Sequence, residues 1–460
     1  MIPRVKLSQT RREKASAFDP GDAGRPLRVI FDRSTLTGAD ADLLLELCAE
    51  NGVEAYSTSA TDSVDILSIE EPGAEDQAVF LAGNTMAGVW PVSQLRTRAH
   101  AMAEEMNADA EEAFSAHLLA GASDSWGADA LVTASPFLLS GEPPRYGNAL
   151  DLLETFSLVG LWLRANDRFT VGRIDSEPHF FGHPVQLGWW RTYLVMTREH
   201  LPSMWTWFSA CVTSGDSNGD MTALGESVFR RTDRALRVRD RLHTECLRYP
   251  TDRTNDEALF QFDVLLFTLS GAFDGAARVA HRVYALGTGE YRAGWTNRDW
   301  RKRLSDPAPD LAQLFDHESD NWRLLRLVAL LRNTIHGAPI RAIGTSGSQR
   351  RSLVAIPGEE RSEIAELAEA LGGSDRWGVR VSGTETYVEP DRFTECLMPL
   401  AIALLDETLS HTDVRHLPGV GPDAELTSAP PEKYPFSSEI RRRLRLLAGI
   451  TSRRRGSPCR

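Results

Sequence analysis

Phe260-Gln-Phe-Asp-Val-Leu-Leu-Phe-Thr-Leu-Ser-Gly-Ala-Phe-Asp274-Gly-Ala-Ala-Arg278 decides how the second half of this chain folds. Its apolar residues return every three or four positions, the period of a helix with one buried face. The pattern runs over 255–286 and recurs at 222–248 and 319–336. Helices of this kind need one another to bury their apolar faces, so the three predict a bundle. A further helix is expected at 392–409. Residues 344–388 interrupt the bundle with β-type runs at 352–356 and 379–387 around a helix at 362–371.

The first third reads differently. Leu27-Arg-Val-Ile-Phe31 is an apolar run ending in Asp32, the pattern of a buried strand with a polar tip. A helix is expected at 39–51, with Leu43, Leu44 and Leu47 inward and Gly52 as its stop. Short strands follow at 53–57, 78–82 and 130–133, and helices at 93–106 and 108–126. Strands alternating with helices predict a small, mostly parallel sheet. The expected fold class is therefore α+β and multidomain: a small α/β domain, then a mainly α-helical bundle with a short β insertion. The expected parts are a flexible lead at 1–24, the α/β domain at 25–145, a helical and irregular connection at 146–215, the bundle at 216–412, and a Pro/Gly linker with a basic tail at 413–460.

Composition narrows the chemistry. A chain of 460 residues exceeds one ordinary core. No apolar stretch reaches the length of a membrane span, and the polar N-terminus lacks the core of a secretory signal. The five cysteines are scattered, with no C-x-x-C pair. Together these predict a cytoplasmic protein with no disulfide framework and no membrane partner. Lys6, Lys14, Lys302 and Lys433 are the only lysines among 51 basic residues, so neither a P-loop nor a Schiff-base lysine is available between 15 and 301. The net charge of −13 argues against a general nucleic-acid coat. Residues 436–460 nevertheless carry eight arginines and one glutamate, a patch able to attract RNA or an acidic surface.

Leu331-Arg332-Asn333-Thr-Ile-His336-Gly337 concentrates the chemistry. Arg332 and His336 stand four apart, on one face of a helix. A guanidinium there can hold a phosphate while an imidazole moves a proton beside it. A second reading uses the same residues: Gly337 and Pro339 mark a helix end, His336 suits the negative pole of its own helix, and Arg332 pairs with Asp274 inside the bundle. Both stand at this point.

The segment from 222 to 411, through the 260–278 helix and Arg332-Asn333-x-x-His336, resembles HEPN-like helical domains. Those are bundles common in toxin–antitoxin and antiviral systems, and often metal-independent RNases acting as dimers. The resemblance implies an RNA-cleaving or RNA-engaging protein, active as a homodimer or with a protein partner or antitoxin, and needing no cofactor. It assigns phosphate stabilisation to Arg332, orientation to Asn333, acid–base work to His336 and support to Asp274. The family usually places four to six residues between arginine and histidine; here there are three. The alternative is a non-catalytic interaction or RNA-binding protein on the same bundle.

Asp32 together with Gly127-Ala-Asp-Ala-Leu-Val-Thr133 resembles, over about 25–140, a degenerate PIN-like nuclease domain. Such domains gather carboxylates around a divalent metal. Ser135 stands where that family has an aspartate, which leaves Asp32 with Glu104, Glu105, Glu111 or Glu112 as the weak metal alternative. His179 and His183, with Asp175 and Glu177 nearby, have metal-like spacing in a stretch that Pro and Gly keep from being helical. Asp216-Ser-Asn-Gly-Asp220 lacks the glycine and the final glutamate of a calcium loop.

Overall fold

The computed structural model describes residues 16–448 except 21–23, 60–64, 71–75, 83–84, 141–147, 175–182, 216–218, 288, 318, 338–340, 345–351, 357–359 and 428–437. The chain begins with β1 (Arg28–Phe31), α1 (Ala39–Glu50), β2 (Glu54–Ser57), β3 (Asp65–Glu70), β4 (Ala78–Ala82), β5 (Thr85–Trp90), α2 (Val92–Met106) and α3 (Ala110–Trp126). It continues through β6 (Ala130–Val132), α4 (Pro136–Leu139), β7 (Ala149–Leu150), α5 (Leu152–Ala165), β8 (Arg168–Ile174), β9 (His183–Gly188), α6 (Trp189–His200), α7 (Met204–Thr213), α8 (Asp220–Leu247) and α9 (Asp252–Val283). The last part holds α10 (Arg298–Leu304), α11 (Pro309–Gln313), α12 (Asp320–Gly337), β10 (Arg341–Gly344), β11 (Ser352–Ile356), α13 (Arg361–Ala370), β12 (Val379–Ser382), β13 (Glu385–Val388), α14 (Pro390–His411) and α15 (Ser438–Leu447). The fold is mixed α and β and mainly helical. It divides into two compact units, Met1–Trp189 with Leu247–Tyr249 and Ser437–Arg460, and Trp190–Cys246 with Pro250–Phe436.

The first unit is built on a sheet of order β5-β4-β3-β2-β1-β6-β7. β3, β2, β1, β6 and β7 are parallel neighbours, while β3, β4 and β5 form an antiparallel meander. Val29, Ile30 and Phe31 are wholly buried, as expected of a central parallel strand covered on both faces. Phe80, Leu119, Leu131 and Phe137 share one core with residues of α2 and α3. Asp129 pins the start of this sheet: Arg25 donates to both of its carboxylate oxygens at 2.6 Å, and the Arg28 N–H donates to one at 2.9 Å.

The segment expected as a linker and basic tail contains α15, which packs on α5 and β8 of the same unit. Ile440, Leu444, Leu447 and Ala448 are buried. Gly160 of α5 makes the fit possible, because a Cβ there would lie 1.8 Å from the Leu447 carbonyl oxygen. That oxygen also accepts a 2.6 Å hydrogen bond from Arg164 Nη1. Arg443 Nη2 lies 3.3 Å from Glu46, and Arg442 pairs with Asp40, so part of the tail's positive charge is already matched by α1.

The second unit is organised around α9, which packs against α12 and α14. Thr251 caps its start, accepting from the Thr254 N–H at 3.1 Å. Phe262 meets Phe393 edge-on, and Trp377 also packs on Phe393 with ring centroids 5.1 Å apart. The β insertion is a four-stranded antiparallel sheet, β10-β11-β13-β12. Among the described residues no helix is long and apolar enough to cross a membrane.

Candidate functional site: an arginine-lined cleft on the helical unit

Two glycines four residues apart on α9 let side chains of α8 lie directly against its backbone. A Cβ at Gly275 would stand 2.7 Å from a Val228 methyl, and one at Gly271 would stand 1.9 Å from Arg231 Nη1. Val228 and Arg231 advance along α8 as Gly275 and Gly271 retreat along α9, so the two helices run antiparallel here. The Arg231 guanidinium lies against bare helix backbone, with its Nε donating to Ser227 Oγ at 3.1 Å.

A cleft of about 260 Å³ is lined by Arg231, Arg278, Arg332 and Asp274, with Ser227 and Phe267 also in its wall. Arg332 comes from α12. Its Nη1 is 3.7 Å from Asp274 Oδ2, a loose ion pair with both side chains partly exposed. Arg332 Nη2 donates to Asn333 Oδ1 at 3.2 Å, and its Nε is buried without a hydrogen-bond partner among the described residues. Surrounding protein shuts water from part of the Asp274 carboxyl and raises its pKa, against the opposing pull of Arg332, Arg278 and Arg231. Three guanidiniums around one carboxylate leave a formal surplus of two positive charges. Such a place favours an anion with several acceptor oxygens.

Of the residues singled out from sequence, Arg332, Asn333 and Asp274 therefore come together. His336 lies in the last turn of α12, and its side chain is outside the described residues. Arg231, Arg278, Gly271 and Gly275 were not singled out. Their signal was present: two glycines inside a strongly helical stretch mark a close approach, because glycine otherwise weakens a helix.

Asp32 sits in the other unit, at the carboxyl end of β1 beside the end of β6, where the sheet order reverses. It is buried, and its oxygens are occupied by hydroxyls. Oδ2 accepts from Thr35 and Thr133, each at 2.7 Å, and Oδ1 accepts from Ser34 Oγ. Each threonine oxygen in turn accepts a backbone N–H at 2.9 Å, Thr35 from Ala134 and Thr133 from Ser135. The hydroxyl protons are thus all directed at Asp32. Glu111 is engaged with Arg96 at 2.9 Å. Among the described residues no group of three or more His, Cys, Asp and Glu side chains is placed to hold a metal ion. Asp175, Glu177 and His179, residues 216–218, and the His183 side chain lie outside the described residues.

Set against known protein families, characterised proteins and solved structures, the chain matches none.

Proposed function

We propose that the helical unit engages RNA at the Arg332-Asn333-x-x-His336 end of α12 and cleaves it without a metal, in the manner of a HEPN-like ribonuclease. The observation that carries this reading is the cleft itself: Arg332 stands with Arg231 and Arg278 around Asp274, partly exposed, and its link to Asp274 is a long 3.7 Å. A guanidinium held this loosely remains available to a phosphate. RNA supplies its own nucleophile, the 2′-hydroxyl, so the protein need only stabilise charge on the phosphorus and move a proton. In this reading Arg332 takes the charge, Asn333 restrains Arg332, Asp274 sets its position, and His336 acts as the acid or base. Two protomers meeting along α12 would double the positive charge at the scissile phosphate.

The test is incubation of the purified chain with single-stranded RNA, with and without chelator, for the wild type, Arg332→Gln and His336→Ala. Cleavage that survives chelator and is lost in both variants supports the proposal. Cleavage abolished by chelator would move the activity to the Asp32 region. Binding without cleavage, weakened by Arg332→Gln, would make the bundle a non-catalytic RNA-binding module.

A further inference from the structure

We infer that the Arg231–Asp274–Arg278–Arg332 cleft is a receptor for a phosphate monoester, and that within the RNA reading it holds the phosphorylated end of a strand more tightly than the internal phosphodiester that Arg332 meets in the cleavage step. The monoester part rests on the cleft alone; its assignment to an RNA end rests on the proposed function.

Charge matching is the first argument. The formal surplus of two positive charges in the cleft equals the charge of a phosphate monoester near neutral pH, about −1.5 to −2. An internal phosphodiester carries one negative charge and would leave the cleft under-neutralised. Size is the second. About 260 Å³ falls below the usual small-molecule pocket of about 300–1,000 Å³. It accommodates an end group rather than a folded nucleic-acid segment. Donor geometry is the third. Arg231, Arg278 and Arg332 come from three different helices and line one cleft, so three separate guanidiniums are available to the three terminal oxygens of a monoester. A diester presents only two free oxygens, with chain leaving on both sides.

Gly271 makes the inference testable without removing a charge. The atoms nearest a Cβ there are all in the Arg231 guanidinium, so Gly271→Ala displaces that group within the cleft lining while leaving helix α9 able to form. The probes are one short single-stranded RNA, 2′-O-methylated against cleavage, bearing a 5′-phosphate, a 3′-phosphate or only hydroxyl ends, together with inorganic phosphate as competitor. Binding to the full chain is read by fluorescence anisotropy at fixed salt, with thermal unfolding as the folding control. The expected result is at least about tenfold tighter binding of one phosphorylated end over the hydroxyl-ended strand. Inorganic phosphate erases that preference, and Gly271→Ala and Arg278→Gln abolish it without loss of folded protein. Equal affinity for all three strands overturns the inference, and if Arg332→Gln still weakens binding the RNA reading survives alone. If no strand binds but inorganic phosphate raises the unfolding temperature of the wild type and not of Gly271→Ala, the monoester receptor stands and the RNA reading falls. If neither binds, both fall.

Discussion

Gly160→Ala is expected to loosen α15 from α5 inside the first unit. The added methyl would stand 1.8 Å from the Leu447 carbonyl oxygen and 2.7 Å from its carbon, both backbone atoms that no rotamer change can move aside. Helix α15 must retreat, which stretches or breaks the buried 2.6 Å bond from Arg164 to Leu447. A hydrogen bond to a charged group is worth about 1.5–3 kcal/mol, and inserting a methyl into a packed contact costs about 1–3 kcal/mol. Alanine in a helix interior recovers about 1 kcal/mol relative to glycine. The net expectation is a loss of about 1.5–5 kcal/mol, seen as a lower urea midpoint and faster tryptic cleavage around Arg441–Arg445. The decisive control repeats the substitution in a chain ending at residue 436. There the obstacle is gone, and Gly160→Ala should be neutral or stabilising by about 1 kcal/mol. An equal cost in the full and shortened chains would refute the docking argument.

Two further outcomes concern buried carboxyls. Burial pushes the Asp263 carboxyl up to about 6 from its ordinary 3.8, and its Oδ1 has no hydrogen-bond partner among the described residues. A raised carboxyl pKa means the folded state holds the proton longer, so this group favours folding most below pH 4 and loses that contribution as pH rises through 6. Asp263→Asn should therefore gain stability relative to the wild type between pH 4 and 6. The gain is bounded by about 3 kcal/mol and, because the side chain is partly exposed and screened, expected at about 1–2 kcal/mol. Urea midpoints of both proteins across that range check it, and a constant difference would contradict it. Asp32→Ala should cost about 3 kcal/mol by stranding the hydroxyls of Ser34, Thr35 and Thr133, whereas Thr133→Val should cost about 1 kcal/mol. Manganese that raised the unfolding midpoint of the wild type but not of Asp32→Ala would instead make the carboxylate a metal ligand.

The long elements were legible because their apolar period is unambiguous. Residues 255–286 and 319–336 became α9 and α12 to within a few positions, and the run ending at Asp32 became β1. The connection expected at 146–215 opens with a strand as well as a helix, β7 and α5, divided at Asp151. The sign was there: Asp151 and Glu154 form a reciprocal capping box, at 2.8 Å and 3.1 Å. The paired strands β8 and β9 were hidden by the prolines and glycines of 173–190, whose pairing depends on a partner strand that local propensity does not reveal. The docking of α15 was invisible for a similar reason, since its partner lies far back in the chain. At the candidate site, Arg332 could be named in advance from helical spacing and charge, and Asn333 and Asp274 through the resemblance. Gly271 and Gly275 marked where a neighbour lies against α9, but that the neighbour at Gly271 is Arg231 depends on tertiary packing that local sequence does not reveal.

The return of α15 to α5 also orders events during synthesis. The Arg164–Leu447 contact spans 283 residues. At about 5–20 residues per second, a ribosome needs roughly 15–60 s to make that interval. The whole of the helical unit emerges in the meantime, and its bundle can form before the sheet unit receives its last helix. Until then α5 presents to its surroundings the groove at Gly160 that α15 will fill. A nascent chain stalled anywhere between the two would hold a sheet unit with that face still open, the state in which chaperones have most to grip.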